Sequence, residues 1–365
     1  MTRHVVYRAA DAGAPAPPTD TPAPCGDTQW SGNNCGACGR SCNGGLCANG
    51  YCEVQTLAKD IRYPSHVALR NGQLFWVDVG TDESRSLRRM PAAGGPVETL
   101  FTFPPNTLVL DAVFDETDAF LSLETFAEPI SKTSLERLSL AKRQLVPIAT
   151  PASGPFAMAL DDTYVYWATA GSYREPAASL RRTPKAGGNT DVLMDTPSNH
   201  VRRTLLAPPW LYFSRASADE PLGRIPLGGG ASEVLSTSGP KDGARSLAMV
   251  GDVLLAGWGE SADFSGALRA VAPGGGTKTL WDRGAVDAMA SAGGFVYWAS
   301  GLGKGDMGRE GNLFRMPNTG GTPLTLAPTD AYPTAVLVDD SWVYFATMGR
   351  ERVGTIPGSI KRVPR

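Results

Sequence analysis

The sequence lacks most of the features that identify common enzyme classes. It has three histidines, no GxSxG, HExxH or phosphate-binding glycine loop, and no apolar stretch of the ~18 residues that would span a bilayer. Its formal net charge is −2, without a run of lysine or arginine, which argues against nucleic acid as the main partner. We therefore expect neither a nucleic-acid partner nor a transmembrane span.

Cysteine is absent from most of the chain, because none follows Cys52. A dense, even-numbered cluster in a short segment rich in glycine and asparagine predicts a disulfide-rich module over 25–52 and an oxidising compartment. Six cysteines allow fifteen pairings, among which the sequence does not choose. The alternative is zinc at the Cys35–Cys38 pair, although no second pair or nearby histidine accompanies it. The module contains Cys25, Cys35, Cys38, Cys42, Cys47 and Cys52.

The residues just before this module contain no large apolar side chains that could form a hydrophobic core. Residues 11–24 read DAGAPAPPTDTPAP, and the composition predicts a disordered Pro/Ala-rich tether over 1–24. The apolar segment of a signal peptide is missing from Met1–Ala10. We expect that a signal or lipoprotein segment lies upstream of this sequence and that the protein is extracellular or attached to the cell surface.

What the sequence does contain is a repeat. NGQLFWVD at 71–78 returns as DTYVYWAT at 162–169, GGFVYWAS at 293–300 and DSWVYFAT at 340–347, with weaker copies between them. The aligned anchor positions are 42 to 47 residues apart, which is the length of one four-stranded propeller blade. The anchors are Trp76, Leu121, Trp167, Phe213, Ala256, Trp298 and Phe345.

Each repeat supplies signals for four short strands. An apolar run precedes the anchor strand, and an alternating third strand such as SLRRMP at 86–91 leads through a glycine turn to a fourth such as PVETLF at 96–101. The pattern predicts an all-β fold over 53–365, a seven-bladed β-propeller of four-stranded antiparallel blades. The last repeat has no fourth strand, so we expect residues 53–59 to pair with 359–364 and close the ring.

Two short strings carry a family resemblance. FWVD at Phe75–Asp78 and the VYW strands resemble the secreted bacterial propellers related to the YWTD and NHL repeats, including a DUF5050-like group. NNCGACGRSCNGGLC at 33–47 resembles the small Cys-rich repeat of the Stig1 type, which predicted myxobacterial surface proteins combine with propellers. The resemblance implies an exported or lipid-anchored protein, and it implies no catalytic residues.

The candidate site follows from counting along the repeats. The first strand of a blade lines the central channel, so the residues ten and eleven positions before each anchor should lie near the axis. The alternative is that these groups only hydrogen-bond to one another around a water-filled channel. The polar residues selected as the candidate binding set are His66, Asp111, Arg202, Arg203, Arg245 and Asp287.

His66 is the candidate for acid–base catalysis, because it is the one histidine placed on an inner strand. A hydrogen-bonded structural role is the alternative. Propeller lactonases hold calcium with several Glu, Asn and Asp residues, and calcium takes six to eight oxygens. The only carboxylates at the channel positions are those of Asp111 and Asp287. We therefore expect no cofactor; calcium is the one cofactor that these residues bring into consideration. The adjacent aspartates Asp161-Asp162 and Asp339-Asp340 lie between the first and second strands of their blades, where we expect them to form turns.

These observations favour an exported, monomeric, non-catalytic binding or scaffold propeller that contacts an extracellular protein or glycan through its channel face. The alternative is a propeller lyase or hydrolase, streptogramin-lyase-like or lactonase-like, that acts through His66 at the central channel.

Overall fold

The structure, a computed structural model, describes twelve segments of the chain. Within them every regular element is a β-strand, and no helix is long and apolar enough to cross a membrane. The tether over 1–24 lies outside the described residues, as do His4 and His200. The described segments are 25–79, 84–127, 131–151, 154–169, 178–196, 201–215, 221–236, 243–259, 265–301, 311–329, 332–348 and 357–365.

Seven four-stranded antiparallel sheets confirm the predicted seven-bladed propeller. Consecutive strands of each blade run from the channel outward. In the cysteine module, β1 (Cys47–Ala48) pairs with β2 (Tyr51–Cys52).

Blades 1 to 3 follow in chain order. Blade 1 contains β4 (Ser65–Arg70), β5 (Gln73–Val79), β6 (Arg85–Pro91) and β7 (Glu98–Thr102). Blade 2 contains β8 (Thr107–Phe114), β9 (Asp118–Thr125), β10 (Lys132–Ser139) and β11 (Leu145–Ala149). Blade 3 contains β12 (Phe156–Leu160), β13 (Tyr164–Thr169), β14 (Ala178–Pro184) and β15 (Asp191–Thr196).

Blades 4 to 7 complete the ring. Blade 4 contains β16 (Val201–Ala207), β17 (Trp210–Arg215), β18 (Leu222–Pro226) and β19 (Glu233–Ser236). Blade 5 contains β20 (Ser246–Val250), β21 (Val253–Gly257), β22 (Leu268–Val271) and β23 (Thr277–Trp281). Blade 6 contains β24 (Ala288–Ala292), β25 (Phe295–Gly301), β26 (Gly311–Pro317) and β27 (Leu324–Thr329). Blade 7 contains β28 (Tyr332–Val338), β29 (Trp342–Met348), β30 (Gly358–Pro364) and β3 (Gln55–Ile61).

Blade 7 is assembled from two distant parts of the chain. Its outermost strand β3 pairs antiparallel with β30, with Gln55 opposite Arg362 and Ala58 opposite Ile360. With β3 in place, blade 7 has four strands like the other six blades. The two distant parts of the chain therefore close the ring between blades 7 and 1.

The repeat anchors form the layer that packs one blade on the next. All seven are buried on the second strand of their blades, including Leu121 and Ala256, where the aromatic residue has been lost. In blade 5, Trp258 is buried two residues beyond Ala256, where it points to the same face and supplies the missing aromatic volume.

A one-residue bulge recurs in the fourth strand of every blade. In each blade the register between the third and fourth strands shifts by one residue at a leucine or isoleucine, and in blade 7 it shifts a second time between Ala58 and Ile61. Where a glycine turn follows in the next blade, it packs beside this residue, as Gly229 does on Leu193 and Gly320 on Leu280. The bulge residues are Leu57, Leu100, Ile148, Leu193, Leu235, Leu280 and Leu326.

The six-cysteine module occupies the position that such a turn would take in blade 7. No chain segment joins β30 to β3 directly, so Leu326 of blade 6 has no glycine turn above it. Instead Leu326 shares one buried cluster with Cys35, Cys42 and Val363. Asn43 of the module also donates to the carbonyl oxygen of Ser341, in the turn of blade 7, at 3.0 Å.

All six cysteines form disulfide bonds, as predicted, and the zinc interpretation is wrong because no thiolate is left to bind metal. One group of potential metal ligands found among the described residues, Cys35, Cys42 and Cys52, consists entirely of these bonded sulfurs. The pairs, which the sequence left open, are Cys25–Cys38, Cys35–Cys47 and Cys42–Cys52.

Arginines on the third strands join neighbouring blades. Arg362 lies 4.0 Å from the ring centre of Trp342 and donates to the carbonyl oxygen of Ala92 in blade 1 at 2.8 Å. Arg182 makes the same contacts with Tyr164, at 4.5 Å, and the carbonyl of Leu227 in blade 4, at 2.7 Å. The guanidinium therefore combines a cation–π contact with a hydrogen bond to the next blade.

The paired aspartates before the anchor strands are turn residues, as predicted. Asp161 Oδ1 accepts the backbone N–H groups of Thr163 and Tyr164, both at 2.7 Å. Its other oxygen accepts the hydroxyl of Tyr166 at 2.7 Å. Burial and this hydrogen bond raise the pKa of the Tyr166 phenol, so the tyrosine remains a neutral donor that clamps the turn.

Candidate functional site

A cavity of about 570 Å³ lies at one mouth of the central channel. Inner strands of blades 7, 1, 2, 3 and 4 form its wall, and those of blades 5 and 6 do not. Five of the residues found by counting ten positions back from the anchors line this wall: His66, Asp111, Ala157, Arg203 and Ala335. The module lies at the opposite ends of the blades, because it contacts Ser341 in the turn that follows β28.

The same five blades have irregular inner strands. The pairing of first and second strands shifts register in blades 1, 2, 3, 4 and 7 and is regular in blades 5 and 6. His66 and Ala157 lie at two of these shifts with φ of 50° and 49°, a left-handed conformation that is uncommon outside glycine. Bulges redirect side chains and main-chain groups, and here they do so toward the cavity.

Asp111 connects three blades. Its Oδ1 accepts the backbone N–H of Ala112 at 2.8 Å, and its Oδ2 accepts that of Met158 in blade 3, also at 2.8 Å. Met158 follows the left-handed Ala157, so the bulge in blade 3 directs this N–H toward blade 2. Burial raises the pKa of Asp111, but hydrogen bonds from His66 and these amides outweigh it, and the pKa lies below its ordinary value.

His66 faces blade 2 through both ring nitrogens. Nδ1 is 3.4 Å from Asp111 Oδ1, and Nε2 is 3.3 Å from the carbonyl oxygen of Val109. A neutral imidazole carries one N–H and serves one of these acceptors, whereas the imidazolium serves both. In either form, no ring nitrogen points away from protein oxygens toward the cavity.

Arg203 presents a positive charge at the cavity wall. Its Nε donates to the carbonyl oxygen of Arg245 at 2.9 Å, and Nη1 donates to that of Arg202 at 3.0 Å. The side chain is exposed, and in the segments that the structure describes no carboxylate forms an ion pair with it. A guanidinium has five N–H groups, so several remain for a ligand.

The other members of the predicted set lie away from this wall. Arg245 of blade 5 and Asp287 of blade 6 form an ion pair at 2.8 Å, with the Asp287 side chain only 6% exposed. Arg202 is exposed on the same strand as Arg203. None of the three lines the cavity, so the structure brings together His66, Asp111 and Arg203 only.

Two polar wall residues outside the candidate set bond to a neighbouring blade. Thr204 donates from Oγ1 to the carbonyl oxygen of Ala157 at 2.6 Å, and Thr334 donates to that of Pro64 at 3.1 Å. Each bond joins neighbouring blades. Thr334 is eleven residues before Phe345, a position that the counting covers, but it was not selected. Thr204 is nine residues before Phe213, so the counting did not reach it.

The donor set does not fit calcium. Calcium takes six to eight oxygens, whereas the oxygens of Asp111 already accept two amides and lie beside His66. Asp287 is committed to Arg245. The carboxylates that the described inner strands supply are therefore engaged by protein donors, and no chemical step is derived through a metal.

These features define the class: a seven-bladed β-propeller with a disulfide-bonded Cys-rich N-terminal segment. No protein-family model and no curated protein matches the sequence.

Solved structures similar to this chain share its fold at low sequence identity. An oligogalacturonate lyase in complex with manganese is 12% identical, with a TM-score of 0.60 over 84% of this chain and 89% of that chain. An oligogalacturonate lyase from Vibrio parahaemolyticus is 10% identical, with a TM-score of 0.57 over 86% and 91%. A chain of a mitotic checkpoint complex is 10% identical, with a TM-score of 0.60 over 86% and 93%. Likeness at these identities shows the fold alone, since one fold hosts many functions.

Proposed function

We propose that this protein is an exported, non-catalytic binding propeller that contacts a glycan or protein through the cavity at its channel mouth. The observation that carries the proposal is the orientation of His66, whose two nitrogens face Asp111 and Val109. A general base must reach the proton that it removes. The His66 ring borders the cavity, but both of its nitrogens face protein oxygens.

The wall around His66 is arranged for binding. Its polar side chains are held by the neighbouring blade, as Asp111 is by Met158 and Thr204 is by Ala157. A wall that is ordered before the ligand arrives lowers the entropy cost of association. Concave sites of this size with a few fixed polar groups are typical of small-ligand binding.

The export part of the proposal is supported by the three disulfides, which persist in oxidising compartments. The resemblance of the VYW strands to secreted YWTD and NHL propellers, and of the cysteine segment to the Stig1 type, agrees with it. We expect a monomer that is secreted or attached to the surface by lipid.

One observation favours a propeller lyase or hydrolase as the second candidate. A carboxylate beside an imidazole, as Asp111 is beside His66, is the arrangement that orients a catalytic histidine. That function would require the His66 ring to turn from Val109 toward a substrate.

A retention assay tests the binding function. The protein would be passed over immobilised alginate, chitin and peptidoglycan, with soluble products examined by mass spectrometry. Ala112→Trp should fill the cavity, which Ala112 lines, and lower retention at least tenfold. Ala141→Trp, at an exposed turn on the outer side of blade 2, is the matched control and should leave retention unchanged. Retention insensitive to Ala112→Trp would contradict binding through the channel face.

His66→Asn separates the two candidates, because asparagine tolerates the left-handed conformation. A binding protein should retain its ligand within about threefold and release no products before or after the change. Products formed by the unmodified protein and lost in His66→Asn would establish the enzyme and overturn the proposal.

A further inference from the structure

The charge balance of the cavity wall limits what it binds. Asp111 is occupied by two amide donors and by His66. Arg203 is held only by carbonyl oxygens and has no carboxylate partner among the residues that the structure describes. Arg203 is therefore the charged side chain of the described wall with N–H groups left for a ligand, and a carboxylate is the group that a guanidinium binds through two parallel hydrogen bonds.

The wall hydroxyls define the second requirement. Thr204 and Thr334 use their single hydrogens on the carbonyl oxygens of Ala157 and Pro64. A hydroxyl that donates keeps two lone pairs, so both residues present acceptors where they line the cavity. A ligand that satisfies them must bring O–H donors of its own.

Apart from Tyr63 and Ser65, the remaining side chains of the wall are apolar. Leu110, Phe156 and Met158 line the cavity beside these polar groups, and they suit the C–H face of a compact ring. The volume of about 570 Å³ lies within the range of small-molecule sites.

We propose that the cavity binds a sugar acid, with the carboxylate on Arg203 and ring hydroxyls donated to Thr204 and Thr334. This inference rests on the proposed binding function and names its ligand class. The acid is either a free monosaccharide or the acidic residue of a glycan, since both carry the same chemistry.

Titration calorimetry with three matched sugars tests the carboxylate requirement. Glucuronate should bind at least tenfold more tightly than glucose or glucuronate methyl ester, which keep the hydroxyls and lack the charge. Arg203→Gln should remove that difference, and Arg203→Lys, which keeps the charge without the planar fork, should remove part of it. Arg143→Gln, at an exposed turn of blade 2, is the control and should change nothing. Circular dichroism and the thermal midpoint establish that each variant is folded.

An oligouronate included in the same titrations identifies the source of the acid. Tighter binding of the oligomer indicates a glycan, and equal binding indicates the free sugar acid; either supports the inference. Equal affinity for the three sugars would overturn the sugar-acid inference. So would the absence of binding of all three sugars while glycan retention still depends on Ala112. Both results would leave the proposed binding function intact. Chemical conversion of glucuronate or the oligomer, followed by NMR, overturns the non-catalytic function itself.

Discussion

Arg40 of the six-cysteine module donates from Nη2 to the carbonyl oxygen of Pro364, at the end of β30, over 3.3 Å. The residue is only 2% exposed. Burial and the nearby Arg315 lower the pKa of the Arg40 guanidinium to about 10, against an opposing effect of Tyr297. A charged group is placed in this junction despite the cost of its desolvation, so the module is part of the closure of the ring.

Removing the Cys42–Cys52 disulfide should loosen blade 7 as well as the module. Both sulfurs lie in the buried cluster that contains Phe345 and Val363, and loss of a disulfide costs about 2–4 kcal/mol. In the variant with Cys42→Ala and Cys52→Ala, we expect faster amide hydrogen exchange in β30 than in β14 of blade 3. Removal of the Cys25–Cys38 pair, whose Cys38 is exposed, is the control and should leave β30 protected. Equal exchange in both variants would show that the module is an independent appendage.

Arg362→Met should destabilise the junction between blades 7 and 1. The change keeps an apolar stem but removes the contact with Trp342 and the hydrogen bonds to Ala92 and Gln55. We expect a loss of about 1–3 kcal/mol in the free energy of unfolding, measured by urea denaturation. Arg143→Met removes only an exposed ion pair with Glu98 and should cost less than about 1 kcal/mol. Similar losses would mean that the third-strand arginines do not join the blades.

Asp111 should make stability depend on pH in the acid range. Its pKa is lower in the folded protein than its ordinary value of 3.8, so its contribution is present above about that pH and is lost as the pH falls through the folded value. In Asp111→Asn, the side-chain NH₂ group replaces one of the two oxygens and faces the backbone N–H of Ala112 or Met158. We expect the free energy of unfolding at pH 7 to fall by about 1–3 kcal/mol. The difference from the unmodified protein should narrow below pH ~4.

Urea denaturation at pH 7, 5, 4 and 3 measures the effect at Asp111. Asp252→Asn, in the exposed turn between β20 and β21, is the matched control and should follow the unmodified protein throughout. A constant difference between Asp111→Asn and the unmodified protein at all four pH values would contradict the assignment.

Ala157→Val tests the left-handed bulge in blade 3. A β-branched side chain is strained at a φ of 49°, and we expect the free energy of unfolding to fall by about 2 kcal/mol or more. Ala159→Val, two residues along the same strand in ordinary pairing with Tyr166, should cost less than about 1 kcal/mol. If both cost the same, the register shift is not a rigid feature of the cavity wall.

Counting along the repeat located much of the candidate site. It placed His66, Asp111 and Arg203 on one cavity wall, because the distance from anchor to channel is nearly constant from blade to blade. It also selected Arg245 and Asp287, which bind each other between blades 5 and 6. Their pairing depends on the separation of two neighbouring blades, which a count within one blade does not contain.

The sequence by itself determined the number of blades, the order of strands and the disulfide-bonded nature of the cysteine segment. Alternation, turn glycines and the cysteine cluster are local signals, and each is read within one repeat or one segment. Only the tertiary structure decided the disulfide pairs, the position of the module above Leu326 and the bulges that confine the cavity to five blades. The disulfide pairs arise from contacts within the module. The bulges accompany contacts between blades, such as that of Met158 with Asp111, and the inner strand of blade 3 contains no glycine that would mark its bend.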